Sequence, residues 1–255
     1  MVENQKVIIT AGASGIGLET LKLFLSAGAK VAICDIDHSA LDTVQKQFPG
    51  VFINHCDVSD AIQSENFIRN AATFLGGIDT LVNNAGIGGP TARIQDITSA
   101  DWNNCLSVCL SGQFHCAKPS IEDLKLSSNA SIINISSSAG RMGFAMRTPY
   151  AAAKWGVIGL TKSLAIELGE YNIRVNAVLP GVVSGTRQEK VLKEKAKSKK
   201  ITYEEMQEQA LSYSSIKKYV SAADIANQIL FLASESGKMI SGQAISVCGD
   251  LKMLS

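Results

Sequence analysis

The stretch KVIITAGASGIGLETLKLFLSAGAKVAICD, residues 6–35, decides how the rest of the chain is read. It opens on five residues of strand character, KVIIT (6–10), and turns through the glycine-rich AGASGIG. A helical pattern follows in which Leu18, Leu21 and Leu25 share a face, with Gly28 at its stop. A second strand, KVAIC (30–34), comes at once and runs into Asp35. Strand, helix and strand in this order predict a right-handed crossover between parallel neighbours.

The same alternation continues to the end of the chain. Val- and Ile-rich runs recur at VFINH (51–55), IDTLVNN (78–84), ASIINIS (130–136), IRVNAVL (173–179) and QAISVC (243–248), with helical patterns between them. The runs are continuous rather than alternating, as burial on both faces requires. The expected fold is therefore α/β, one doubly wound parallel sheet in a single domain over residues 1–255. One segment breaks the rhythm. Between Leu179 and SAAD (221–224) lie KVLKEKAKSKKITYEEMQEQ and a TYEE at 202–205, and both four-residue starts have the form of a capping box. Residues 182–220 thus read as a helical insertion past a strand's carboxyl end, which suits a substrate lid. The six lysines between 190 and 200 are interspersed with glutamates and read as a solvated helix face.

Composition narrows the function. A chain of 255 residues with 46% hydrophobic content suffices for one sizeable core. Its 24 basic and 23 acidic residues leave a net charge of +1, so no global field favours nucleic acid or an anionic membrane, and a small-molecule partner is expected. The start MVENQKVIIT lacks the basic flank and apolar run of a secretory signal, and no apolar run is long enough to span a bilayer, so the expected location is cytoplasmic. The cysteines at 34, 56, 105, 109, 116 and 248 form no C-x-x-C pair and do not gather with the histidines at 38, 55 and 115. They read as reduced, buried thiols, and no metal is expected.

Gly12, Ser14, Gly15, Ile16 and Gly17 stand between strand and helix, where glycines admit a pyrophosphate and the helix amino terminus offers N–H groups to it. The spacing is not G-x-G-x-x-G, so the context carries the reading: Asp35 and Ile36 end the next strand. A carboxylate there accepts from an adenosine ribose and repels a 2′-phosphate, which selects NAD over NADP. Capping of the following helix is the alternative use of Asp35, although Asp37 or Ser39 can fill that role. Asp57 and Val58 follow the third strand, and Asn83, Asn84, Ala85 and Gly86 follow the fourth, all on the same rim.

The reacting end is marked by TPYAAAKWGV, where Tyr150 and Lys154 are four apart with Ala151, Ala152 and Ala153 between them. Residues so spaced share a helix face, and small neighbours leave room for a cofactor. An ammonium beside the ring favours phenolate over phenol, so the pair forms a general acid–base. Ser137, just past a strand end, is placed to bind the reacting oxygen.

Taken together, TAGASGIG, Asp35, NNAG (83–86), Ser137, Tyr150-Ala-Ala-Ala-Lys154 and Pro180-Gly181 resemble the short-chain dehydrogenase/reductase family over essentially the whole chain, in the branch of the 3-oxoacyl-carrier-protein reductases. The resemblance implies a Rossmann fold with a seven-stranded sheet and NAD as cofactor. It also implies Tyr150 as acid–base, Lys154 on the nicotinamide ribose and Ser137 on the carbonyl, with Ile135, Pro180, Gly181 and Val183 completing the cofactor contacts. It further implies a homotetramer or homodimer built on helices around 100–120 and 150–168. The substrate would be an alcohol or ketone.

Three positions depart from the family pattern. Ala11 stands where glycine is usual, although Gly12 follows at once, and its methyl is expected to be tolerated if the residue keeps negative φ. Cys109 replaces an asparagine that, in the family, holds a helix irregularity and a water leading from the lysine. Packing is its expected use. The threonine usual after Pro-Gly falls on Gly185, so the carboxamide contact shifts to Thr186 or the Val183 backbone. At the mouth stand Gly88, Arg93, Arg141 and Arg147, where a guanidinium gives bidentate contacts to a carboxylate or sulfonate, with loop or subunit packing as the alternative. The rival to an enzyme is an NAD-binding sensor or structural subunit whose catalysis Cys109 has weakened.

Overall fold

The computed structural model describes residues 2–251, except for the side chains of 186 and 187. Its strands are β1 (Lys6–Thr10), β2 (Lys30–Asp35), β3 (Phe52–His55), β4 (Thr80–Asn83), β5 (Ser131–Ile135), β6 (Arg174–Pro180) and β7 (Ala244–Val247). They form one seven-stranded parallel sheet in the order β3-β2-β1-β4-β5-β6-β7. Successive residues of one strand serve opposite faces. On β1, Val7 and Ile9 pack with Leu21 and Phe24 of α1 (Gly15–Ser26) and Leu41 of α2 (His38–Gln47). Ile8 packs on the other face with Phe67 and Ile68 of α3 (Ala61–Leu75). These side chains are wholly or nearly wholly withdrawn from solvent, and burial of each large apolar side chain contributes about 1.5–3 kcal/mol.

Further along lie α4 (Ser99–Leu106), α5 (Gly112–Lys125) and α6 (Thr148–Glu167), with a π-helical turn, Ser107–Ser111, joining α4 to α5. The insertion carries α7 (Thr186–Lys199) and α8 (Tyr203–Ser212), and α9 (Ala222–Ala233) returns to the α1 face. Both expected capping boxes form, Thr202 with Glu205 and Ser221 with Asp224. The insertion has a small core of its own, Leu192, Ala196 and Met206. Its base is pinched by a main-chain bridge between Val183 and Val220, and Ser214 pairs with Leu251. No helix among the described residues is long and apolar enough to cross a membrane.

Candidate active site

The strand order reverses between β1 and β4, and ligands of such sheets bind in the crevice beyond the strand ends at that point. The two ends are clasped together. The Thr10 hydroxyl accepts the N–H groups of Asn84 and Ala85, each at 3.0 Å, and the Asn84 amide donates to the carbonyls of Thr10 and Ala11, also at 3.0 Å. A Cβ on Gly17 would stand 2.1 Å from the Ala11 carbonyl oxygen and 2.7 Å from Asn84 Nδ2, so only glycine fits where α1 meets the clasp. At Gly12 a Cβ would come within 2.6 Å of Ile33. Ser14 occupies the N-cap of α1 without a side-chain cap, which leaves the helix's first N–H groups to the crevice.

The condition set for Ala11 is not met. Its φ is +50°, in the left-handed region, not negative. The Asn84 clasp on its carbonyl and the bond from Gly12 N to the Cys34 carbonyl oxygen fix the chain on both sides, so the methyl is held in a conformation that suits glycine.

Asp35 is 8% exposed, and its carboxylate accepts the N–H groups of Ala13 at 3.1 Å, Ile36 at 2.8 Å and Asp37 at 3.2 Å. Helix α2 is capped by Asp37, which accepts from Ala40 N at 3.0 Å. Asp35 is therefore not its cap. Sequence reasoning passed over His38 and His55, whose rings stack 4.0 Å apart. His55 is the register partner of Asp35, a relation that emerges only once β2 and β3 are paired. Asp57 accepts from Ser59 N at 2.9 Å, and Val58 packs so closely on Gly112 that a Cβ there would meet it at 2.7 Å.

At the other end of the crevice, the Ile135 carbonyl accepts from Lys154 Nζ at 2.7 Å and from Gln113 Nε2 at 3.1 Å. Ser136 Oγ donates to the Lys154 carbonyl at 2.7 Å, which ties the end of β5 to α6. Ser137 follows, and its hydroxyl accepts from Ala139 N at 3.2 Å as the chain enters a short 3₁₀ turn. Lys154 is 3% exposed, and its Nζ lies 5.7 Å from the centre of the Tyr150 ring. A Cβ on Gly86 would stand 3.4 Å from that Nζ and 3.6 Å from Cys109 Sγ. Gly86, Lys154 and Cys109 thus converge.

Cys109 sits within the π-helical turn. Its thiol donates to the Ile87 carbonyl and accepts the Ile87 N–H, each at 3.3 Å, so one side chain holds both groups of one peptide residue. The hydrogen bond to Cys109, and then burial, push the Cys105 thiol well above its ordinary range.

Of the residues expected at the mouth, Arg147 and Gly88 come together: the guanidinium donates to the Gly88 carbonyl through Nε at 3.0 Å and through Nη2. Arg147 also lies 5.1 Å above the Tyr150 ring. Arg93 is exposed beside the 3₁₀ turn Ile94–Asp96. Arg141 donates to the carbonyl of Ala244, where β7 begins. Gly181 N donates to the Val247 carbonyl at 2.9 Å, just after Pro180 ends β6, and Val183 belongs to the pinch at the base of the insertion. The side chain of Thr186 lies outside the described residues. Lys195 of α7 was not singled out from sequence, yet its Nζ lies 4.1 Å from the centre of the Phe144 ring.

A family profile described as enoyl-(acyl carrier protein) reductase matches residues 10–250. A 3-oxoacyl-[acyl-carrier-protein] reductase of Thermotoga maritima is 37% identical over 254 residues, 98% of each chain. Among solved structures, a single-substitution variant of actinorhodin polyketide ketoreductase with NADPH superposes with a TM-score of 0.92 at 28% identity, covering 98% of this chain and 97% of that one. An NAD⁺-bound xylitol dehydrogenase superposes with a TM-score of 0.91 at 25% identity, covering 97% and 98%. The clasped glycine turn, the rim of strand ends and these full-length likenesses agree that the chain belongs to the short-chain dehydrogenase/reductase family of oxidoreductases acting on alcohols and ketones.

Proposed function

We propose that the protein is an NAD-dependent dehydrogenase or reductase of a secondary alcohol/ketone pair, with Tyr150 as general acid–base. The observation that carries the reading is the buried ammonium of Lys154, held on Ile135 and lying 5.7 Å from the Tyr150 ring beside Gly86. In the oxidative direction Lys154 favours the phenolate of Tyr150, which takes the hydroxyl proton and becomes the phenol, while Ser137 holds the substrate oxygen. The nicotinamide cofactor supplies the hydride acceptor when bound.

The residues fit that cofactor. Gly12, Ser14, Gly15, Ile16 and Gly17 would hold the pyrophosphate, with Asp57, Val58, Asn84, Ala85 and Gly86 along the rim and Ile135, Pro180, Gly181 and Val183 near the nicotinamide. A carboxylate offers about four acceptor sites. Asp35 uses three on backbone N–H groups, which leaves one for a ribose hydroxyl and orients a negative charge against a 2′-phosphate. The 37% identity to a 3-oxoacyl-[acyl-carrier-protein] reductase supports placement in that branch. We read 182–220 as the substrate lid because α7 bonds across the mouth, Thr91 to Glu194 at 3.3 Å. Exposed Phe114 on α5 and Trp155 and Ile166 on α6 support assembly through these helices as a dimer or tetramer. Six cysteines without disulfides suit the cytoplasm.

The test is a panel of secondary alcohols, hydroxy acids and sugars with NAD and NADP, followed by reduced-cofactor absorbance. Cofactor binding without turnover of any member would favour the sensor reading. The convergence of Lys154, Gly86 and the retained π-helical turn argues for the enzyme.

A further inference from the structure

Helix α7 carries six lysines from 190 to 200, counting its C-cap, and all but one are exposed. The exception is Lys195, half-buried over Phe144. On the same ring, 5.8 Å from its centre, lies Arg147, which in turn lies 5.1 Å from the Tyr150 ring. Cation, ring, cation and ring therefore run in series from the lid to the proposed acid–base. We propose that the substrate is an anion, a short hydroxy or oxo compound bearing a carboxylate or sulfonate, seated on Lys195 with Arg147 as the second cation. The proposal rests on the dehydrogenase reading above and names its substrate class.

Three observations support it. The two cations come from different elements, Lys195 from the insertion and Arg147 from the residue just before α6. Arg147 is buried with its guanidinium on the Gly88 carbonyl, so an anion in contact with Lys195 would feel Arg147 through its field across the Phe144 ring and would join the lid to the rim. Holding Lys195 there is costly: burial first, then the charges of Arg147 and Lys199, bring its pKa down to about 8. A methionine of similar length would cover Phe144 without that cost, so the retained amine is explained by a ligand of opposite charge. The carboxylate next along the helix, Glu194, accepts from the Thr91 hydroxyl and is directed to the loop after β4.

The experiment uses matched pairs on the whole protein: 3-hydroxybutyrate and 2-hydroxypropane-1-sulfonate against 2-butanol, each with NAD and NADP. The acids should exceed the neutral alcohol in kcat/KM by about tenfold or more, the scale of one charge-assisted contact. The better of the two acids identifies the oxyanion. Lys195→Met should collapse that ratio toward one while raising the thermal midpoint, and Lys195→Arg should restore it. A second readout needs no turnover. Butyrate and propanesulfonate titrated into the NADH-loaded protein should bind through Lys195, and butanamide should not. Equal efficiencies for acid and neutral alcohol, or a ratio that survives Lys195→Met, overturn the proposal. Lys195-dependent binding of butyrate without turnover of any alcohol keeps the anion seat and sinks the dehydrogenase reading.

Discussion

Lys154 Nζ lies 2.7 Å from the carbonyl oxygen of Ile135, two residues before Ser137, so the lysine and the serine are positioned by one strand end. Tyr150, one helical turn before Lys154, completes the set. Tyr150→Phe keeps the ring and removes the oxygen proposed to carry the proton. Turnover should fall by ~10² or more, the size of a general acid–base contribution, with NADH affinity nearly unchanged. Lys154→Met should weaken both. Steady-state rates and fluorescence titration with NADH separate the two variants, and full activity in Tyr150→Phe would reassign the pair to packing.

At the other end of the crevice, the Asp35 carboxylate would meet a 2′-phosphate with like charge in a partly dry pocket. NADPH should bind at least about tenfold more weakly than NADH, a difference of ~1.4 kcal/mol. Equal dissociation constants would sink the NAD assignment.

Ala11 at φ +50° gives a stability prediction. Ala11→Gly should stabilise the fold by about 1 kcal/mol, because relief of the left-handed conformation exceeds the extra freedom glycine has when unfolded. Denaturant titration of both forms reads the difference directly. A less stable glycine variant would contradict it.

For Lys195 the native pKa of about 8 lies below the unfolded value of 10.5. Below pH 8 both states carry the proton and the native state bears the whole cost of the buried charge. Between pH 8 and 10.5 the native state releases its proton first, so this group's contribution to stability rises with pH across that window. Lys195→Met should therefore be more stable than the parent at about pH 7 by about 1–3 kcal/mol, with the gap closing above about pH 10.5. A gap that is constant with pH would exclude the titration as its origin.

Much of this was readable in the chain, and the failures have a common cause. The strand runs, the stop at Gly28 and the boxes at 202–205 and 221–224 are local signals, decided by residues a few positions apart. So is the cap at Asp37. The conformation of Ala11 is not local, since the amide of Asn84, seventy-three residues away, pins its carbonyl. The six lysines of 190–200 read together as a solvated helix face. That holds for the other lysines but misses Lys195, because which face of α7 turns inward depends on Phe144 in a different element. Cys109 was read as packing. Its bonds to both polar groups of Ile87 give it a sharper task, one that only the neighbouring loop defines.

The pinch at the base of the insertion bears on how such enzymes diversify. Val183 bridges Val220 and Ser214 bridges Leu251 through main-chain groups, which are indifferent to side-chain identity. A segment anchored in this way can be exchanged as a cassette. Recombination between relatives at crossover points 188 and 220 would replace Lys195 and most of its helix while leaving the glycine turn, Asp35, Val183, Thr186 and the Tyr150–Lys154 pair in their parental context. Such chimaeras should keep the NADH affinity of the parent that supplies the sheet and take their substrate preference from the parent that supplies the cassette. A chimaera whose NADH affinity followed the cassette instead would show that the two properties are not separable at these junctions.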